Sequence, residues 1–115
     1  MNLTLPYPPS VNTYWRHDRG RTHISTKGKQ YRIDVVAAVL STTRGSRKFL
    51  GPVRVTIVAC APDKRRRDLD NLLKATLDSM QAAGVYDDDS QVHEINMRWG
   101  ERVKDGALMV QVVGI

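Results

Sequence analysis

The segment VRVTIVACAPDKRRRDLDNLLKATLDSMQAAG, residues 53–84, decides what kind of fold this chain has. Residues 53–61 first alternate apolar and polar and then become apolar on both faces, the pattern of a central β-strand covered from both sides. A basic stretch follows, and from Leu69 the apolar period changes to that of a helix. Leu69, Leu72, Leu73, Thr76, Leu77, Met80 and Ala83 share one side, with Asp70, Lys74, Asp78 and Gln81 opposite. The spacing predicts a helix over 69–83. Gly84 closes it, since glycine readily takes the left-handed backbone that ends a last turn.

Outward from this unit the pattern stays mixed. Upstream, residues 2–6 read as a short strand stopped by Pro6, Pro8 and Pro9, and residues 12–24 as a polar, basic loop or irregular hairpin. Ser25 or Thr26 caps a predicted helix over 27–43, whose buried face is Tyr31, Val35, Ala38 and Val39. Gly45 and Gly51-Pro52 bracket a loop. Downstream, the loop Tyr86–Ser90 leads into a strand over 91–99, with His93, Ile95, Met97 and Trp99 on one face. A turn at Lys104-Asp105-Gly106 returns the chain as a last strand over 107–113. The expectation is one α+β domain over residues 1–115: a small mixed sheet with two main helices.

Composition narrows the function. A chain of 115 residues that is 41% hydrophobic buries an ordinary core without staples. The single cysteine, Cys60, excludes an internal disulfide and suits the reducing cytoplasm, and one Cys with three scattered His gives no zinc spacing. No apolar run nears the roughly 20 residues that cross a bilayer, and no signal-peptide pattern opens the chain. A net charge of +6 with a pI near 9.8 points to a polyanionic partner, above all nucleic acid.

The chemistry concentrates in RRRDLDNLLK, residues 65–74. Inside a helix, residues two apart point about 200° away from each other. Asp68 and Asp70 can therefore share a ligand only if Asp68 precedes the helix and Asp70 opens it. Lys74 lies one turn beyond Asp70 on the same face. A further acidic run, Asp87-Asp88-Asp89, follows the helix. Three carboxylates in one place would repel one another, and a hard divalent cation such as Mg²⁺ or Mn²⁺ removes that conflict. The same residues also fit a plain helix cap, a surface i,i+4 pair and a solvated basic loop. A second basic cluster, WRHDRGRTH, carries Arg16, Arg19 and Arg21 beside Tyr14 and Trp15, with Lys27 next along the chain. Such clusters grip phosphates or merely solubilise a surface. His17 and His23 read as surface residues.

Three stretches together go further: PPSVNTYWRHDRGRTHIS (8–25), PDKRRRDLDNLLKATLDSMQAAG (62–84) and DDSQV (88–92). In order and spacing they resemble the RusA family of Holliday junction resolvases of bacteria and phages. The resemblance fades in residues 41–56 and after about residue 96. It implies a small homodimeric endonuclease that binds four-way DNA junctions and makes paired symmetric nicks with Mg²⁺ or Mn²⁺, leaving 5′-phosphate ends. The family's D-x-D pair falls on Asp68 and Asp70, its helix lysine on Lys74, and the acidic residue before its S-Q-V segment on Asp89. The arginine before the first aspartate falls on Arg67. Asp88 and Asp78 are then outer partners of the cluster, with Asp88 also a rival for the place of Asp89. Arg16, Arg19, Arg21, Lys27, Arg65, Arg66 and Arg67 become the DNA-binding set. Without catalysis the chain would be a basic nucleic-acid-binding module; with a different preference, a nuclease for flaps or other branched DNA.

Overall fold

The computed structural model describes residues 1–43 and 48–115; Gly45, expected at one edge of a loop, lies outside them. The chain runs β1 (Asn2–Leu5), α1 (Val11–Tyr14), β2 (Trp15–Asp18), β3 (Arg21–Ile24), α2 (Thr26–Thr43), β4 (Val53–Cys60), α3 (Asp70–Ala82), a 3₁₀ turn (Asp89–Gln91), β5 (Val92–Trp99) and β6 (Ala107–Gly114). Four strands form a mixed sheet in the order β1-β6-β4-β5. Within it β4 and β5 are parallel and β6 runs antiparallel to β1 and β4. The parallel pair requires a crossover, and α3 supplies it. The α+β expectation holds.

Register builds one apolar face. Val53, Val55, Ile57 and Ala59 of β4 are fully buried, and Val55, Ile57 and Ala59 lie opposite Val112, Val110 and Leu108 of β6. Leu3 and Leu5 of β1 extend the same face through Val110 and Leu108. The other face departs from expectation. Strand β4 is central but not covered on both sides: Arg54, Thr56 and Val58 are only partly buried, and their β6 neighbours Met109 and Gln111 are exposed. At the sheet edge, Ile95, Met97 and Trp99 continue the apolar face, as their shared period predicts. Ile95 and Trp99 nevertheless stay about two-fifths exposed.

Helix α2 starts where expected. The Ser25 hydroxyl accepts from the Gly28 amide at 3.0 Å, and the Ser25 carbonyl accepts from Lys29. Tyr31, Val35 and Val39 are buried with Ala38 partly so, and the Tyr31 hydroxyl donates to the Pro6 carbonyl. The basic segment before it forms one helical turn, α1, and then a tight hairpin of β2 and β3. Asp18 pairs with Arg21 across a two-residue turn, in which Arg19 and Gly20 both take positive φ. Gly28 is where this hairpin meets α2. A Cβ there would lie 2.6 Å from the Tyr14 carbonyl and 2.7 Å from Ile24 Cγ1.

In α3 the buried centre is Leu72, Ala75, Thr76, Ser79 and Met80, while Leu69, Leu73 and Leu77 only flank it. The stripe is rotated towards small residues because the fully buried Tyr14 packs there, its hydroxyl within 3.3 Å of Ser79 Oγ. The same hydroxyl donates to Asp78, whose Oδ2 also accepts from Arg32 Nε at 2.9 Å and Nη2 at 2.6 Å. One carboxylate thus ties α1 and α2 to α3.

Candidate active site

Asp68 lies outside α3 and Asp70 is its first residue, which meets the geometric condition for their cooperation. Neither caps the helix through its side chain. Leu69 is the cap residue, already helical at φ −58° and ψ −41°, and the Asp68 carbonyl, not its carboxylate, accepts from the Asn71 amide at 3.2 Å. Both residues are exposed. Among the described residues neither carboxylate has a hydrogen-bond or ion-pair partner.

Asp89 arrives on the same face from the far side of the crossover. Its backbone amide donates to Gln81 Oε1 at 2.8 Å, and its Oδ2 lies 3.7 Å from Lys74 Nζ. Lys74 therefore stands between Asp89 and the turn that carries Asp70. Asp88 does different work. It caps the 3₁₀ turn by accepting from the Ser90 amide at 2.9 Å, and that bond holds its carboxyl below the usual carboxylate range. Gln91 completes the capping box: its Oε1 accepts from the amides of Asp87 and Asp88, while Nε2 donates to the carbonyls of Phe49 and Gly51. The turn is anchored at both ends, so only the Asp89 side chain faces Lys74. The spacing Asp88-x-x-Gln91 announces this box in the sequence; nothing there announces Gln81 as the clasp for Asp89. Asp78 sits about 40° further round α3 than Lys74, the drift of one four-residue step, and is committed to Arg32 and Tyr14.

The arginine loop separates two openings. On one side is a cleft of about 850 Å³ whose lining includes Tyr7, Lys27, Arg65, Arg66, Asp68 and Asn71. Arg67 behaves unlike its neighbours. Its guanidinium is held in a bidentate pair by Asp63, at 2.5 and 3.0 Å, and lies 5.7 Å from the centre of the Tyr7 ring. Bonds from the Arg67 side chain and then from the Arg65 amide hold the Asp63 carboxyl far below its ordinary range. Burial raises Tyr7. Asp63 and Tyr7, neither singled out by spacing, thus fix the loop; Arg66 projects, and the exposed Arg65 reaches the same Asp63 at 3.4 Å. Arg16, Arg19 and Arg21 are exposed on the β2–β3 hairpin, and Lys27 is exposed at the start of α2.

The donor set suits a hard cation, since all three candidates are carboxylates. Among the described residues no group of three His, Cys, Asp or Glu side chains converges closely enough to hold a metal ion, so the aspartates are not a closed cage. An open arrangement fits a strongly hydrated ion such as Mg²⁺, which uses one or two carboxylates and fills its other positions with water and substrate phosphate.

Residues 6–112 match the family model described as endodeoxyribonuclease RusA. Among curated proteins, the crossover junction endodeoxyribonuclease rusA of Enterobacteria phage 82 is 51% identical over 94 residues, covering 79% of this chain and 75% of that one. The protein of the same name from Escherichia coli K12 is 48% identical over 91 residues, with the same coverage of each chain. That of Enterobacteria phage HK97 is 43% identical over 114 residues, covering 96% of this chain and 91% of its own. A match across nearly the whole length, with relatives this similar, places the chain in the RusA family of endodeoxyribonucleases.

Proposed function

We propose that this protein is a crossover junction endodeoxyribonuclease. It hydrolyses phosphodiester bonds in opposed strands of four-way DNA junctions, during recombination and repair, and leaves 5′-phosphate and 3′-hydroxyl ends. The observation that carries the reading is the placement of Lys74 beside Asp89, on the helix face that Asp70 opens, next to an arginine loop in a RusA-family chain. Asp68, Asp70 and Asp89 would hold the cation, Mg²⁺ or Mn²⁺. When bound, it polarises the scissile phosphate and lowers the pKa of the attacking water.

The chain's own groups do the remainder. Arg65, Arg66 and Lys27 draw the phosphate backbone into the large cleft. The exposed hairpin arginines Arg16, Arg19 and Arg21 grip the duplex arm further out. Lys74 acts as a fixed cation that stabilises charge building on the phosphate oxygens or the leaving 3′ oxygen. Arg67, Asp63 and Tyr7 keep the loop in shape, and Asp88 with Gln91 presents Asp89. A junction has two-fold symmetry and each chain carries one such acidic constellation, so the working unit is a homodimer. Its place is the cytoplasm, where its DNA substrate lies.

The test is cleavage of a synthetic four-way junction in Mg²⁺ and in Ca²⁺ by the parent and by Asp70→Asn. The parent is expected to nick in Mg²⁺ alone. Asp70→Asn is expected to bind the junction as well or better, having lost a negative charge near DNA, and to cut at least 100-fold more slowly. Undiminished cutting by the variant would remove Asp70 from the site.

A further inference from the structure

On its other side the arginine loop borders a second hollow, of about 310 Å³, at the C-terminal ends of β4 and β5. Its rim is Lys64, Arg65, Arg66 and Arg102, with Asp63 and its partner Arg67 also in the lining, and its wall is Trp99 with Gly100. Trp99 is the last residue of the edge strand and is 37% exposed. Its neighbour across the ladder is Ala59, too small to cover the ring. Gly100 is held close against β4 behind the hollow: its amide donates to the Ala59 carbonyl, and a Cβ there would lie 2.5 Å from Val58 Cγ1. The Ala61 carbonyl accepts from Val103 and ties down the segment carrying Arg102. Among the described residues Lys64, Arg66 and Arg102 enter no ion pair, so three uncompensated cations surround one open indole.

Core packing does not explain this arrangement, because the exposed part of the ring contributes nothing to the core. Aromatic rings in cationic grooves are the means by which proteins hold unpaired bases, the ring taking the base and the cations its phosphates. Duplex DNA offers no free base face to such a ring, whereas a branch point does.

We propose that this hollow receives an unpaired nucleobase from the branch point of the bound DNA, stacked on Trp99, with its flanking phosphates held by Arg66 and Arg102. The proposal rests on the junction-nuclease reading. The loop that borders both openings would direct a phosphate towards Asp68 and Asp70 on one side and a neighbouring base towards Trp99 on the other. Trp99 is then a specificity residue, favouring branched over continuous DNA.

The measurement is the ratio of junction to duplex affinity in Ca²⁺ for the parent, Trp99→Leu and Trp99→Phe. Leucine keeps apolar bulk without a ring, so both variants should fold, and thermal melting checks that they do. The ratio is expected to fall about tenfold in Trp99→Leu and to recover largely in Trp99→Phe, with duplex affinity within twofold of the parent. An unchanged ratio, whether both affinities fall together or neither does, overturns the proposal. As a second readout, a Trp15→Phe chain leaves Trp99 as the sole tryptophan. Its emission should be quenched by the junction and not by duplex, and equal responses would overturn the proposal. Because Ca²⁺ binding is read separately from Mg²⁺ cleavage, the outcomes separate. A parent that binds junctions through Trp99 but never cuts would sink the nuclease reading alone. Normal cutting with an unchanged ratio would sink this one alone.

Discussion

Lys74 and Asp89 lie 3.7 Å apart, and each residue around them can be tested for the part of the reaction it serves. A lysine that stabilises transition-state charge should be missed in the rate and not in binding. Lys74→Ala is expected to lower single-turnover cleavage by about 100-fold or more, the scale seen when one charge-stabilising donor is lost. Junction affinity should stay within a few fold in a Ca²⁺ gel shift. A large loss of affinity with normal single-turnover cleavage would make Lys74 a DNA anchor. Asp63 tests the loop through pH. Its carboxyl is depressed in the folded chain by Arg67, so its stabilisation is complete above the ordinary aspartate value near 4 and is lost as pH falls below it. The melting temperature of Asp63→Asn should therefore trail the parent at pH 7, and the gap should begin to narrow near pH 4 and shrink progressively at lower pH. At this scale the sequence was legible in residue type and only partly in role. The D-x-D pair, Lys74 and the acidic run at 87–89 were visible as a pattern, but Asp88 stayed a rival of Asp89, because only the folded turn shows Asp88 committed to the Ser90 amide. Arg67 was not: its partner Asp63 is visible four residues upstream, but no rule of spacing says that the chain bends to close that pair.

The elements show a different boundary between what pattern reveals and what packing decides. Helix α2 matched its predicted cap and face because Ser25 and the Tyr31-Val35-Val39 period act locally. The buried centre of α3 was misjudged because apolar size was weighed above contact. Ala75 and Ser79 occupy that centre since Tyr14 needs room there, and Tyr14 lies 65 residues before Ser79. Likewise the run at 53–61 promised burial on both faces, but the back of β4 is only partly covered, because the described helices pack on the face formed by Val53, Val55, Ile57 and Ala59. Gly28 is the sharpest element-level test. A methyl group there meets the Tyr14 carbonyl and Ile24, and neither the backbone nor the hairpin can retreat without moving the other. Gly28→Ala is expected to destabilise the protein by about 1–3 kcal/mol in thermal or denaturant unfolding, the usual cost of overpacking. Because the shift would displace the hairpin, duplex-arm affinity should fall as well.

At the scale of the whole molecule, basic residues cluster on the hairpin, the start of α2 and the arginine loop, surfaces that the site reading assigns to DNA. If Arg16, Arg19, Arg21, Lys27, Arg65 and Arg66 each neutralise a phosphate, the logarithm of affinity should fall with the logarithm of salt at a slope of about −5. Replacing Arg19 and Arg21 with alanine should make that slope shallower by about 2. An affinity that hardly responds to salt would rule out a basic channel.

The order β1-β6-β4-β5 has a consequence for synthesis as well as for shape. Strand β6 is the last of the sheet's four strands in chain order, yet it lies inside the sheet and joins β1 to β4. Until Ala107–Gly114 has left the ribosome, β1 has no neighbour in the sheet, and the apolar face beneath the helices lacks Leu108, Val110 and Val112. A nascent or prematurely terminated chain would present every carboxylate of the site and no scaffold to hold them. For an enzyme that cuts DNA, this is a built-in delay: the capacity to nick would arise only in a polypeptide finished to its last strand.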